Sequence, residues 1–180
     1  MARRPDRKPF IAGCQVLAVP EKRRRQSRLA AAEADFYTIG YEKLKIDDLF
    51  ALLREAGVRC LADVRDVPWS RVPAYRKKAL GEKLDELGAQ NDYTIMYISV
   101  TALGNPKEIR KSGCALDEMM VAYRRHISEK ARELDELRDL IRDCKTALMC
   151  YEADPAECHR SVLAAVMAER YGLSYIDLRI

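Results

Sequence analysis

Residues 146–178 decide the fold: Thr146-Ala-Leu-Met-Cys-Tyr-Glu-Ala-Asp-Pro-Ala-Glu-Cys-His-Arg-Ser-Val-Leu-Ala-Ala-Val-Met-Ala-Glu-Arg-Tyr-Gly-Leu-Ser-Tyr-Ile-Asp-Leu178. Thr146 to Tyr151 is a short uncharged run bounded by polar residues, the pattern of a buried strand. Asp154 suits a helix N-cap, Pro155 the first helical position, and Glu157 the far end of a capping box. Ser161 to Ala168 is almost wholly apolar, so the helix is expected to be buried, with Gly172 as its stop. Ser174 to Leu178 reads as a second strand. A strand, a helix and a strand in so few residues predict parallel strands joined by a right-handed crossover.

The same alternation extends towards the N-terminus. Phe36-Tyr-Thr-Ile39 is a strand stopped by Gly40. Asp47 suits the cap of a helix carrying Leu49, Phe50, Leu52, Leu53 and Ala56, ended by Gly57. Val58 to Val64 is a strand, and a polar loop from Arg65 to Tyr75 leads to a helix over about 76–87 that stops at Gly88. Tyr93 to Ser99 is another strand, followed by a loop from Thr101 to Gly113. Charged helical sequence fills about 116–143, with a break near Ser128. The pattern predicts a three-layer α/β domain over residues 36–180, with a mostly parallel, five-stranded, Rossmann-like sheet covered by helices on both faces. Residues 1–35 are a separate basic extension.

The net charge of +4 is unevenly divided. Residues 1–36 hold nine basic and four acidic side chains, while the other 23 basic and 24 acidic groups nearly cancel. The extension is a plain solubilising tail or a nucleic-acid-contacting arm, since clustered Lys and Arg gain affinity by releasing counterions from phosphates. No stretch has the apolar length of a membrane span, and no secretory cleavage pattern follows the basic start. Six cysteines without a repeated short spacing argue against a disulfide scaffold and for reduced thiols in the cytoplasm.

Ligands of open parallel sheets bind beyond the strands' carboxyl ends. Uncommon polar residues recur there: Tyr41 after the first strand, Asp63, Arg65, Trp69, Ser70 and Arg71 after the second, and Glu152, Cys158, His159 and Arg160 after the fourth. Arginine forks suit phosphate and carboxylate, and Trp69 offers a stacking face. Asp63, Glu152, Cys158 and His159 are the candidate catalytic groups. Tyr41, Arg65, Trp69, Ser70, Arg71 and Arg160 are the candidate ligand contacts. Against these stand plainer readings: Asp63 and Arg65 pair only to staple the loop, and Cys158 is a packed thiol. Cys150, Glu152, Cys158 and His159 could in principle hold a metal, but their spacing matches no short zinc pattern. Neither a metal nor a cofactor is expected. No GxGxxG or P-loop supports dinucleotide or nucleoside-triphosphate binding.

Thr38-Ile-Gly-Tyr-Glu42, Leu61-Ala-Asp-Val-Arg65, Pro68-Trp-Ser-Arg71, Leu148-Met-Cys-Tyr-Glu152 and Cys158-His-Arg160, in that order, resemble the domain of unknown function 488 family over about residues 37–178. The resemblance implies a fold and a site but no reaction. It marks Tyr41, Asp63, Arg65, Ser70, Arg71, Glu152, Cys158, His159 and Arg160 as the signature polar residues. Lys43 stands where the family usually has a small residue, and Asn105 replaces the second glycine of a Leu-Gly-Gly element.

Three functional readings follow. The first is a pocket that binds, or as an enzyme acts on, a phosphorylated or nucleotide-like ligand, with the arginines holding the anion. The second is a non-catalytic nucleic-acid module. The third is a thiol-dependent, rhodanese-like redox or sulfur-transfer protein using Cys150 or Cys158. The expected partner is therefore an anionic small molecule or nucleic acid, with no membrane.

Overall fold

The computed structural model describes residues 34–179. All but the last two residues of the basic extension, and hence its expected roles, lie outside the described residues. Five strands form one parallel sheet: β1 (Phe36–Gly40), β2 (Cys60–Asp63), β3 (Met96–Ser99), β4 (Thr146–Cys150) and β5 (Tyr175–Leu178). Their order is β3-β2-β4-β1-β5, with every neighbouring pair parallel. The helices are α1 (Ile46–Glu55), α2 (Lys77–Asn91), a single turn α3 (Lys107–Arg110), α4 (Leu116–Ser128), α5 (Ala131–Asp143) and α6 (His159–Tyr171).

Side-chain alternation along the strands divides the apolar residues between two faces. Tyr37, Ile39, Leu61, Ala147 and Met149 pack under α1 and α2 with Leu49, Leu53, Leu80 and Leu84. Phe36, Ala62, Leu148 and Cys150 face α4, α5 and α6 with Tyr123, Leu137, Leu163 and Met167. The three-layer architecture follows. The inner strands β1, β2 and β4 are wholly buried and apolar but for Thr38, Asp63 and Thr146, whereas the edge strands β3 and β5 are partly buried.

Strand order also locates the crevice. The chain runs one way from β1 through β2 to β3 and then turns back through β4 to β5. With right-handed crossovers, the reversal sends α1 and α2 to one face and α4 to α6 to the other. β4 thus sits between two strands whose connections leave on the opposite face, so the sheet opens around its carboxyl end.

Three expectations about helix ends need correcting, the first being that Asp47 caps α1: Lys45 is the N-cap and Asp47 lies in the first turn. Asp154 caps a 3-10 turn, Pro155–Glu157, by accepting from the Ala156 amide at 3.0 Å; it does not cap α6. Cys158 is extended (φ −121°, ψ 134°) and is itself the N-cap of α6. The second helix runs past Gly88 to Asn91, and Asp92 closes it in the left-handed region at φ 50°. Gly172 does end α6, at φ 68°. Among the described residues, no helix is long and apolar enough to cross a membrane.

Candidate functional site

A cavity of about 480 Å³ opens where β1, β2 and β4 end. Its lining joins Tyr41 and Arg65 to the Asp66–Val72 loop, to Asn105 and Arg110, and to Cys150, Tyr151, Glu152 and His159. Close backbone approach builds the mouth. The Tyr41 amide donates to Cys150 O and the Glu42 amide to Tyr151 O, which carries the β1–β4 pairing beyond the strands. Glycine is required at position 40, because a Cβ there would lie 1.8 Å from Glu152 O.

The wall is a buried ionic lock. Arg65 donates to both oxygens of Asp63 (Nε 2.8 Å, terminal nitrogen 2.6 Å), to Tyr41 Oη at 2.8 Å and to Tyr75 O at 2.9 Å. Tyr97 Oη adds a bond to Asp63 at 2.6 Å, and Tyr41 and Tyr75 stack with ring centroids 4.1 Å apart. Asp63 is fully buried behind the wall and does not line the cavity, whereas Arg65 does. The stapling role weighed from the sequence is thus present, and Arg65 still offers one face to the cavity.

The mouth is apolar but for Arg71 and the Asp66–Arg110 pair. Val67, Trp69, Val72 and Tyr151 are exposed, and all four line it. Ser70 is turned to its own loop, accepting from the Val72 amide at 3.2 Å. Arg110 is engaged with Asp66 at 3.0 Å and Asn105 O at 2.8 Å. Arg71 has no ion-pair or hydrogen-bond partner among the described residues, so its fork is available. Asn105 is 2% exposed, and its side-chain Oδ1 has no hydrogen-bond partner. Buried polar atoms are rarely left unpaired, so Asn105 marks a place where a ligand's donor would be welcome.

The floor is a cluster of soft and acidic groups. Cys150 Sγ lies 3.4 Å from Glu152 Oε2 and 3.6 Å from His159 Nδ1. The ligating atoms of Cys150, Glu152, Cys158 and His159 all lie within 4.8 Å of one another. His159 Nε2 is 3.0 Å from Val64 O. A carbonyl only accepts, so Nε2 carries a proton and Nδ1 is the atom turned to the sulfur. The Tyr123 ring closes the floor from α4, edge-on to His159 with centroids 5.0 Å apart.

Proton affinities within the floor are strongly coupled. Burial opposes ionisation of Cys158, yet hydrogen bonds from Cys150 and His159, with the imidazolium charge, outweigh it and lower its pKa. Cys150 donates to that thiolate and is itself buried, so its own pKa rises. Burial disfavours the His159 cation, but Cys158 and the Val64 carbonyl more than compensate and raise it. Burial raises Glu152, and the Cys158 charge adds to the effect.

Of the groups singled out in the sequence, Tyr41, Arg65, Trp69, Ser70, Arg71, Glu152 and His159 line the cavity. Asp63, Cys158 and Arg160 lie behind its surface. Cys158 is fully buried. Arg160 is spent on the loop, donating to Glu152 O, to Ala153 O at 3.0 Å and to Asp177 at 3.2 Å. Cys150, Asn105, Arg110 and Tyr151 line the cavity without having been chosen as site residues. Cys150 had a signal: it is the last residue of the most apolar strand, where a parallel sheet presents its ligand groups.

A doubly wound parallel α/β domain with a pocket around its switch-point strand is the class that fold and site define. The family model described as domain of unknown function DUF488 matches residues 45–167, and the chain belongs to that family. No curated protein and no solved structure matches it.

Proposed function

We propose that the rim cavity binds a phosphorylated, nucleotide-like small molecule and that the floor acts on it, in a reducing, cytoplasmic setting. One observation carries this reading: a single hollow joins an unpaired arginine fork and an exposed indole at its mouth to a thiol, an imidazole and a carboxylate at its base. Its volume suits a small ligand rather than a flat protein contact. Arg71 would take the phosphate, Trp69 would stack on the ring, Asn105 would accept a ligand hydrogen bond, and Glu152 or His159 would move the proton.

The test is a thermal-shift and turnover panel of nucleotides, phosphoesters and short oligonucleotides on the full chain, with Arg71→Ala and Trp69→Ala alongside. Binding to the wild type that weakens about tenfold or more in Arg71→Ala, as expected for a lost charge-assisted hydrogen bond, supports the reading. No binding by any panel member removes it. Binding confined to oligonucleotides favours the non-catalytic nucleic-acid reading.

The position of Cys150 favours a second reading. Its sulfur lines the cavity and faces His159 Nδ1. A thiol-dependent sulfur transfer would therefore run on Cys150 as nucleophile, with the Cys158 thiolate that accepts its hydrogen bond taking its proton. Retained activity in Cys150→Ser would dismiss it.

A further inference from the structure

We propose that Cys150, Glu152, Cys158 and His159 form a binding site for a thiophilic divalent cation, with zinc as the reference ion. The inference goes beyond the ligand reading, and binding of the ion alone does not depend on what enters the cavity.

Donor chemistry comes first. Two sulfurs, an imidazole nitrogen and a carboxylate oxygen are the atoms that borderline-soft divalent metals select. Tetrahedral zinc holds such donors at about 2.0–2.3 Å, which puts neighbouring donors roughly 3.3–3.8 Å apart. Cys150 already stands 3.4 Å from Glu152 and 3.6 Å from His159, both tetrahedral edges, and no pair in the set exceeds 4.8 Å. Contraction by at most about 1.5 Å at the remaining edges closes the site.

The surroundings are those of a metal ligand set. A metal-bound histidine ordinarily gives its second ring N–H to a carbonyl or carboxylate, which fixes the ring and the tautomer. His159 Nε2 has that partner in Val64 O at 3.0 Å, and its other nitrogen is the one aimed at the cluster. Cys158 Sγ accepts from the Arg160 amide at 3.5 Å at the start of α6, where the helix dipole favours a thiolate. Two thiolates and one carboxylate bring three negative charges, of which a divalent ion offsets two; the buried Arg160 guanidinium lies behind the cluster, and Asp177 shares its charge at 3.2 Å. That guanidinium also grips the Glu152 and Ala153 carbonyls and so holds the ligand-bearing loop.

Chain spacing counted against an ion because it matches no short zinc pattern, and Cys158 and His159, as neighbours on one helix, would in addition diverge by about 100°. The fold lifts that restriction. Cys158 is extended and His159 is the first helical residue, so both side chains turn to the end of β4. Glu152 is the least buried of the four and also lines the cavity, so water or a cavity ligand would contest the ion at that position.

The experiment uses the full chain, stripped with chelator under reducing conditions and titrated with zinc alone, then with cobalt(II) as a spectroscopic substitute. Expected are one equivalent of zinc per chain, sulfur-to-cobalt charge-transfer absorption with tetrahedral ligand-field bands, and zinc protection of Cys150, the thiol that lines the cavity, from alkylation. Even outer-shell losses weaken metal sites about 10–100-fold, so Cys158→Ser and His159→Gln should weaken binding at least that much. Cys114→Ser, at an exposed thiol that belongs to neither the cluster nor the cavity lining, should leave it unchanged. Three results would overturn the site: no stoichiometric zinc, a cobalt spectrum without sulfur ligation, or wild-type affinity in Cys158→Ser. Should that variant fail to fold, protection mapping on the wild type decides, and protection that is absent or falls on cysteines outside the cluster is equally fatal. Zinc binding without any panel ligand would sink the ligand reading alone. Panel binding without zinc would sink only this one.

Discussion

Asp63 holds Arg65 through both carboxylate oxygens, at 2.8 and 2.6 Å, across a single intervening residue of the chain. The pair is buried and hydrogen-bonded at both ends, and it fixes the direction in which the chain leaves β2 for the loop that forms the cavity mouth. Such a pair adds little net stability over a well-packed apolar replacement, but removing one partner strands the other charge away from water. Asp63→Ala should therefore lose about 3–5 kcal/mol in urea unfolding. Asp63→Asn, which keeps the shape and one accepting oxygen, should lose less. Equal, small losses in both variants would mean that Arg65 finds water on relaxing and that the wall is softer than drawn.

Gly40→Ala tests the backbone approach that sets the mouth. A Cβ at this position would meet Glu152 O at 1.8 Å and the Ala153 Cα at 3.0 Å, both backbone atoms that cannot swing aside. Forced overpacking costs about 1–3 kcal/mol and occasionally more, and here it would also push Glu152 off the cluster. The expected outcome is a loss of about 3 kcal/mol or more in stability, with zinc affinity falling in parallel. A variant as stable as wild type would show that residues 40 and 152 are farther apart than the structure has them.

The alternation of strands and helices was readable because short apolar runs, caps and glycines repeat along the chain, and residues 146–178 hold the clearest instance. The break between α4 and α5 falls where Ser128 interrupts the charged helical pattern. Helix ends were less legible because backbone packing decided them. Gly88 looks like a stop, but it is buried against the Tyr93–Thr94 backbone and the helix passes through it. Asp154 and Pro155 look like the start of α6, yet the turn they begin is broken by the extended Cys158. The rim residues followed from the rule for parallel sheets. What one dimension hid was depth: Arg160 and Cys158 adjoin His159 in sequence but lie behind the cavity, and Cys150, eight residues earlier than Cys158, faces it.

Cys60 gives a pH signature separate from the site. Burial within β2 pushes its thiol up to about 12, with the nearby Cys144 adding to the shift. The folded state thus keeps this proton after the unfolded chain has released it near the ordinary value of 9.0. More protons bound in the native state mean that stability falls as pH rises from about 9 towards 12, by at most about 1.4 kcal/mol per pH unit for one group. Tyrosines contribute above pH 10, so the informative comparison is with Cys60→Ala between pH 8 and 10. The variant should be less stable at pH 8, through its lost core volume, and the gap should narrow as pH rises. A constant gap would mean that Cys60 ionises as easily folded as unfolded.

Trp69 is the single tryptophan of the chain and is 57% exposed at the cavity mouth, so it reports on the site without supporting the core. Its ring has the Arg76 guanidinium 5.5 Å from the centroid, a contact too open to hold it. Trp69→Ala should accordingly change stability by no more than about 0.5 kcal/mol, the range of surface substitutions. The same change should weaken a stacking ligand by about 1–3 kcal/mol, the usual worth of an aromatic platform under a base. In the wild type, ligand entry should quench or shift the intrinsic fluorescence, giving a titration that needs no label. A phosphorylated ligand that binds with silent fluorescence and equal affinity in Trp69→Ala would place its ring away from the indole. The mouth would then select for charge at Arg71 alone, and simple phosphoesters should bind as well as nucleotides.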